Sequence, residues 1–440
     1  MSEAVVIVPV GALGAGVRAA DVRRGIALGA HAIAADAGST DSGPFYLASG
    51  ISKYSREAVA HDLRVLMAVR EEARIPLLIG SCGTSGCDDA VDWTLEIALD
   101  IARELGQSPK IAVLYSEQRA ERIASMNVNG AVSPLAPSGA LTAEAIDSCT
   151  HIVAVMGPEP YIDALRAGAD IVLGGRTTDT AVLAAVPLMR GAGAAPAWHA
   201  GKVAECGGQC TVDPTDGGVL IRVRAEDFDV EPLSVRNRCD PHSVSAHMLY
   251  ENSDPYRLIE PGGVLDVIDA DYVALDDRVV RVTGSRFAPA PYTMKLEGAA
   301  PGPFQTIMFI GIADPAVLAS IDLFVERLSA ALYDRVRDTL GEGAGEFDIS
   351  LRAYGWNAVL GRPLPRGTTP PPEVGIMFVA TAASQAIATR IAKACNSHFF
   401  HFPLRRDVEL PSYAFPFSPA EIERGQVFEF RINHVVRVED

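Results

Sequence analysis

Three times in its first 180 residues the chain runs a short apolar stretch straight into a loop of glycine, small hydroxyls and an acid. The stretches are AIAADAGSTDSGP (Ala32–Pro44), PLLIGSCGTSGCDD (Pro76–Asp89) and DIVLGGRTTDTA (Asp170–Ala181). A fourth, VVIVPVGALGAGV (Val5–Val17), has the same form without the acid. Each apolar run has the length of a strand and is followed by an amphipathic helical pattern. That is how buried parallel strands and their crossover helices read. In such sheets the loops after the carboxyl ends of the strands gather at one edge, where ligands bind. Four polar, glycine-rich loops are therefore expected at one rim.

Six strands are expected at Val5–Val10, Ala32–Ala35, Leu77–Gly80, Ile111–Tyr115, Ile152–Met156 and Ile171–Gly174. Between them, Ser55 is placed to cap a helix carrying Val59, Leu63, Leu66 and Met67 on one face. Asp88 or Asp89 is placed to cap the next, which Gly106 stops. The expected fold class is α/β, with a doubly wound, mainly parallel sheet over residues 1–192. A (β/α)8 barrel needs eight consecutive units, and the pattern does not supply them.

Near Gly191 the pattern changes. RGAGAAPAW reads as a linker, and helical periodicity then fades until about Asp314. Short runs such as GVLIRV, RVVRV and YTMKL, separated by turn-rich pieces, predict a β-rich module over 193–302. The last third, 303–440, predicts a strand at Gln305–Ile312, a helix from about Pro315 to Leu340, and strands at Asp348–Tyr354 and Val374–Ala380. A helix near Ser384–Asn396 and a strand at Phe428–Val438 complete it. The order β-α-β-β-α-β is that of a ferredoxin-like α+β unit.

Charge narrows the partners. With 38 Lys plus Arg against 55 Asp plus Glu, the formal net charge is −17, which disfavours nucleic acid. A local cation still suits an anionic small molecule. The N-terminus has no basic region of a signal peptide, and no apolar run approaches the roughly 18 residues that span a bilayer. Seven cysteines scattered among glycines and helices fit reduced thiols in a cytoplasm.

The loop after the second strand carries Asp36, Gly38, Ser39, Thr40 and Asp41. Its backbone amides suit an anion, and its acids suit proton transfer or a metal. The loop Ser81, Cys82, Gly83, Thr84, Ser85 has no Lys-Ser/Thr pair and is no Walker loop, and Gly11 to Gly16 lacks the dinucleotide fingerprint. Cys82, Cys87, Cys206 and Cys210 have the wrong spacings for an ordinary thiolate metal site. His398 and His401 would point apart if their segment were extended. Arg176, with Thr178 and Asp179, can grip a substrate carboxylate, or Arg176 can staple its own loop to Asp179. Glu205, Tyr250, Glu251 and Asn252 add polar groups to the middle stretch. Lys295 and Glu297 alternate along an expected strand and face the same side.

These loops together resemble the acyclic terpene utilisation (AtuA-like) family. The likeness is carried by AGSTDSGP (Ala37–Pro44), IPLLIGSCGTSG (Ile75–Gly86), ADIVLGGRTTDTA (Ala169–Ala181), YENSDPYRLIEPGG (Tyr250–Gly263), YTMKLEG (Tyr292–Gly298), FPFSP (Phe415–Pro419) and FEFRINHVV (Phe428–Val436). The resemblance implies a large subunit from bacterial catabolic gene sets, often with a small companion chain. It supplies no residue roles.

The leading expectation from the residues is a lyase or hydratase acting on a small branched carboxylate or its coenzyme A thioester. Asp36 or Asp41 would serve as acid/base, with Lys295 and Glu297 as a second tuned pair and Arg176 as anchor. The backbones of Gly38–Thr40 and Gly80–Ser85 would steady an enolate-like anion. No cofactor is required, although a divalent metal on Asp36, Asp41 and Glu251 or Asp254 gives an alternative hydrolase or hydro-lyase. A third alternative is a non-catalytic large subunit completed by a small partner. A homo-oligomer is expected, with no membrane partner.

Overall fold

A computed structural model describes residues 3–250, 252, 254–365, 367–404 and 410–438. The strands in chain order are β1 (Ala4–Val8), β2 (Ala32–Asp36), β3 (Leu77–Gly80), β4 (Ile111–Leu114), β5 (Val132–Pro134) and β6 (His151–Ala154). They continue as β7 (Ile171–Gly174), β8 (Val219–Val223), β9 (Phe228–Pro232), β10 (Arg257–Glu260), β11 (Gly263–Asp266) and β12 (Asp271–Ala274). The last are β13 (Val280–Thr283), β14 (Arg286–Pro289), β15 (Thr293–Ile312), β16 (Phe347–Tyr354), β17 (Val374–Ala382) and β18 (Ile422–Arg437). The chain divides into two compact units, Met1–Ala300 with Glu429–Asp440, and Pro301–Phe428. It is a mixed α/β protein, with one sheet part parallel and others antiparallel.

In the first unit a nine-stranded sheet runs β12-β13-β9-β8-β1-β2-β3-β7-β4. The five strands β1, β2, β3, β7 and β4 pair in parallel, in register through Val6↔Ala32, Ala34↔Leu78, Leu78↔Val172 and Ala112↔Val172. Strands β8, β9, β13 and β12 extend the same sheet antiparallel from β1. The stretch 193–300 thus adds strands to the sheet of the first unit. Strand β6 was expected among the parallel strands. It instead pairs antiparallel with Leu296–Ala299 of β15. Its apolar residues satisfy a strand in either setting, which is why periodicity alone could not place it.

Alternation puts two cores on the two faces of this sheet. Val6, Val8, Ala32, Ala34, Leu78 and Val172 pack on one side with the helices Asp179–Met189 and Ala194–Ala204. Val5, Ile7, Ile33, Ala35, Leu77, Ile79 and Leu173 pack on the other with the helices Arg56–Ala73 and Asp88–Leu105. The helix Asp179–Met189 is apolar on every side and buried from Thr180 to Pro187, as a central helix must be. Its neighbour Ala194–Ala204 forms where a linker was expected. Burial of the whole segment from Pro196 to Ala204 outweighs the weak local propensity of its glycine and proline.

Ser55 caps the helix Arg56–Ala73, accepting from the Ala58 amide, and Gly106 ends the helix Asp88–Leu105 in the left-handed region. Cys87, not Asp88 or Asp89, takes the cap position of that second helix. The two acids lie in its first turn, where the helix dipole favours negative charge.

In the second unit the order β-α-β-β-α-β gives an antiparallel sheet β16-β17-β15-β18. Its helix expected over 315–340 is two, Pro315–Leu318 and Ile321–Leu340, with the break at Ala319 and Ser320. His398 and His401 lie in a helical turn rather than an extended segment, because Phe399 is drawn into the core behind the helix Gln385–Asn396. No helix among the described residues is long and apolar enough to cross a membrane.

Candidate functional site

The loops after β1, β2 and β3 and the start of the helix after β7 border one cavity of about 640 Å³. That volume suits a small ligand. Asp36, Gly38, Ser39, Asp41, Thr84, Asp179 and Tyr250 line it, together with Gly11, Gly16, Lys53, Tyr54 and Cys206. Asp62, buried in the helix Arg56–Ala73, fixes the first loop. Its carboxylate accepts from the amides of Gly14, Gly16 and Val17 at 2.8, 3.1 and 2.7 Å.

Asp36 ends β2 and is 4% exposed. Its Oδ2 accepts from the Gly38 amide at 2.8 Å, and its Oδ1 is buried without a hydrogen-bond partner. Burial first, and the Asp179 carboxylate second, push this carboxyl well above the usual range. Arg176, the Gly38 amide and the Ser81 hydroxyl oppose that shift more weakly. Asp179 keeps its charge more easily than Asp36. Its side chain is 25% exposed, it pairs with Arg176 at 3.1 Å, and it begins a helix. Burial raises Asp179 as well, with Arg176 opposing the shift, so Asp36 is the more readily protonated of the two. A neutral, buried carboxyl beside an ionised one is the arrangement that makes a general acid at neutral pH.

Arg176 is not a vacant anchor. Its Nε donates to Glu297 at 3.0 Å, and its Nη1 donates to Asp179, to the Ser81 hydroxyl at 3.1 Å and to the Thr177 carbonyl at 2.8 Å. It does not line the cavity, so the loop-staple reading is the one its geometry supports. Glu297, 3% exposed, also pairs with Lys295 at 2.8 Å. Although buried, it is held down to about 2 by Arg176 and Lys295. Neither Lys295 nor Glu297 lines the cavity.

The remaining candidates divide in the same way. Ser39 bonds to Asp41 at 2.8 Å and caps the turn Thr40–Ser42, in which Thr40 is buried. Thr84 accepts from the Lys53 amide at 3.0 Å. Ser85 donates to the Cys87 sulfur, and Thr178 caps the helix Asp179–Met189. Gly83 faces Ala90, and Asn252 bonds to the Met248 carbonyl. Glu205 is buried on Lys202 and Thr180, below the lining. Glu251 lies outside the described residues. Cys82 is fully buried, and burial raises its thiol strongly, so it is no nucleophile.

Sequence reasoning missed Lys53, Tyr54 and Asp62, and also Lys202 and His247. Lys53 carries the one positive charge among the described lining residues, and its Nζ reaches the Ser42 hydroxyl at 3.2 Å. No motif marks it; it arrives from the turn before a helix. Its nearness to Ser55, a recognised cap, was the available signal.

The loop Ser81–Cys87 holds strain where it meets Arg176. Ser81 and Thr84 adopt φ of 44° and 80°, a conformation that costs non-glycine residues on the order of 1–3 kcal/mol each. Gly86 has φ of 65°, and a Cβ there would lie 2.2 Å from the Arg176 amide nitrogen. Gly86→Ala should therefore destabilise the protein by more than about 2 kcal/mol. Urea melts check this, and an unchanged midpoint would mean that the two loops are not locked together.

The sequence matches the family described as acyclic terpene utilisation family protein AtuA over residues 52–223 and 234–403. The chain belongs to the AtuA family. Membership implies a role in acyclic terpene utilisation and suggests a catabolic one. The matched span contains β3, β7, β8 and the loops that carry Lys53, Thr84, Asp179 and Cys206. Asp36 and Asp41 precede it. No curated protein and no solved structure matches the chain.

Proposed function

We propose that this AtuA-family chain is a lyase or hydratase that moves a proton on a small branched carboxylate, or its coenzyme A thioester, during acyclic terpene utilisation. One observation carries the reading: the Oδ1 atom of Asp36 is buried, makes no hydrogen bond, and belongs to a cavity-lining residue beside Asp179. Asp36 acts as the general acid, and Asp179 holds the proton on it by repulsion. Asp41, on the same wall, is the second carboxylate. Lys53, rather than Arg176, meets the anionic end of the substrate, because Arg176 is spent on Glu297 and Asp179.

The test incubates the full chain with branched acyclic acids and their coenzyme A thioesters in deuterium oxide. Mass spectrometry then follows deuterium uptake, hydration and cleavage. Uptake or product that disappears in Asp36→Asn is expected. Turnover that persists in that variant would end the assignment. Lys53→Met is expected to raise KM about 10-fold with kcat nearly unchanged, the mark of lost uniform binding. An unchanged KM would place the anion elsewhere.

A further inference from the structure

We propose that Glu205, Cys206 and His247 form a binding site for a zinc-class divalent cation at the edge of the cavity. One donor atom from each residue lies within 4.8 Å of the other two. Donors around a tetrahedral zinc sit roughly 3.5 Å apart, so closing the site needs shifts of about an ångström. The proposal goes beyond the proton-transfer reading and would stand if Asp36 had no role.

The three residues come from two separate pieces of backbone. Glu205 caps the buried helix Ala194–Ala204, and Cys206 follows it directly. His247 opens the turn His247–Leu249 behind the helix Pro241–Ala246. Cys206 lines the main cavity, and His247 lines a second one; Gln209 and Tyr250 border both. A metal held here would leave an open coordination position reachable from a cavity, as catalytic zinc sites do.

One further observation points to a ligand. His247 is 4% exposed, and its Nε2 is buried with no hydrogen-bond partner. A buried ring nitrogen left unmatched costs free energy unless something coordinates it. The ring stacks on Tyr250 at 5.6 Å between centroids, which fixes its direction. Glu205 already holds Lys202 on one oxygen and Thr180 on the other, so ligation replaces one of these contacts. A thiolate, an imidazole and a carboxylate select zinc over magnesium or calcium. The other such cluster, Cys87, Glu117 and His151, lacks this unmatched donor: Glu117 already holds the His151 Nδ1 at 2.8 Å.

The test strips the full chain with a chelator and titrates it with Co²⁺, then Zn²⁺. One equivalent of Co²⁺ should bind with tetrahedral absorption and a thiolate-to-cobalt charge-transfer band, which Zn²⁺ then removes. Cys206→Ser should abolish the band. His247→Gln, which keeps the side chain's bulk and polarity, should weaken zinc binding beyond the 10–100-fold that outer partners contribute. Cys87→Ser should leave both unchanged. Near-UV circular dichroism of the stripped variants separates lost ligation from lost folding. Failure to bind a stoichiometric ion overturns the proposal, as does a band that survives Cys206→Ser or vanishes with Cys87→Ser. Activity of Asp36→Asn bears on none of these outcomes.

Discussion

Asp36→Asn should lower turnover by about 10²–10⁴-fold, the usual loss on removing a positioned general acid. The substitution keeps an oxygen for the Gly38 amide, so the loop that shapes the cavity survives. What disappears is the proton that a buried carboxyl holds at the cavity wall. The pH profile carries the same prediction. Wild-type activity should fall as pH rises through the elevated value at which Asp36 ionises, and that limb should be missing in the variant. Asp179→Asn should move the limb to lower pH, because it removes the repulsion that helps to keep the proton on Asp36. A limb that stays in place would remove Asp179 from the mechanism.

Stability shifts with pH in a direction fixed by the same carboxyl. Asp36 has a higher pKa folded than unfolded, so the native state binds the extra proton. Its contribution is present below the ordinary aspartate value, about 3.9, and is lost as pH rises toward the raised one. Urea midpoints should therefore decline less steeply over that window in Asp36→Asn than in wild type. Parallel slopes would show that Asp36 is ionised in both states.

Much of this arrangement was legible in the sequence, for a physical reason. Strand, glycine and acid recur because parallel strands must be apolar and their exit loops must turn sharply, so β1, β2, β3 and β7 declared themselves. Asp36, Asp41 and Asp179 line one cavity because polar groups at those exits have one rim to share. The failures arose where local pattern is silent about partners. Arg176 looked like an anchor because Glu297, 121 residues away, is invisible from its own loop. Asp62 carries no motif, although it binds three amides of the first loop. The helix Ala194–Ala204 looked like a linker because its support is tertiary. Lys53 and His247 carried no spacing that would mark them.

Arg176→Met should cost about 3–5 kcal/mol of stability, the range for breaking a buried ion pair at one partner. The loss leaves Glu297, 3% exposed, with Lys295 alone, and leaves Asp179 without its guanidinium. Glu297→Gln should cost less, because a neutral amide needs no counter-charge. The double variant should then recover part of the Arg176→Met loss, giving a coupling energy that a double-mutant cycle reads directly. The pH sign is opposite to that of Asp36. Glu297 is held at about 2, below its unfolded value near 4.3, so its stabilisation is present above that value and is lost as pH falls toward 2. The gap between wild type and Glu297→Gln should therefore be widest at neutral pH and close on acidification. A gap that stays constant down to pH 2, measured by urea melts, would mean that the Arg176–Glu297 pair is not what ties β15 to the loop after β7.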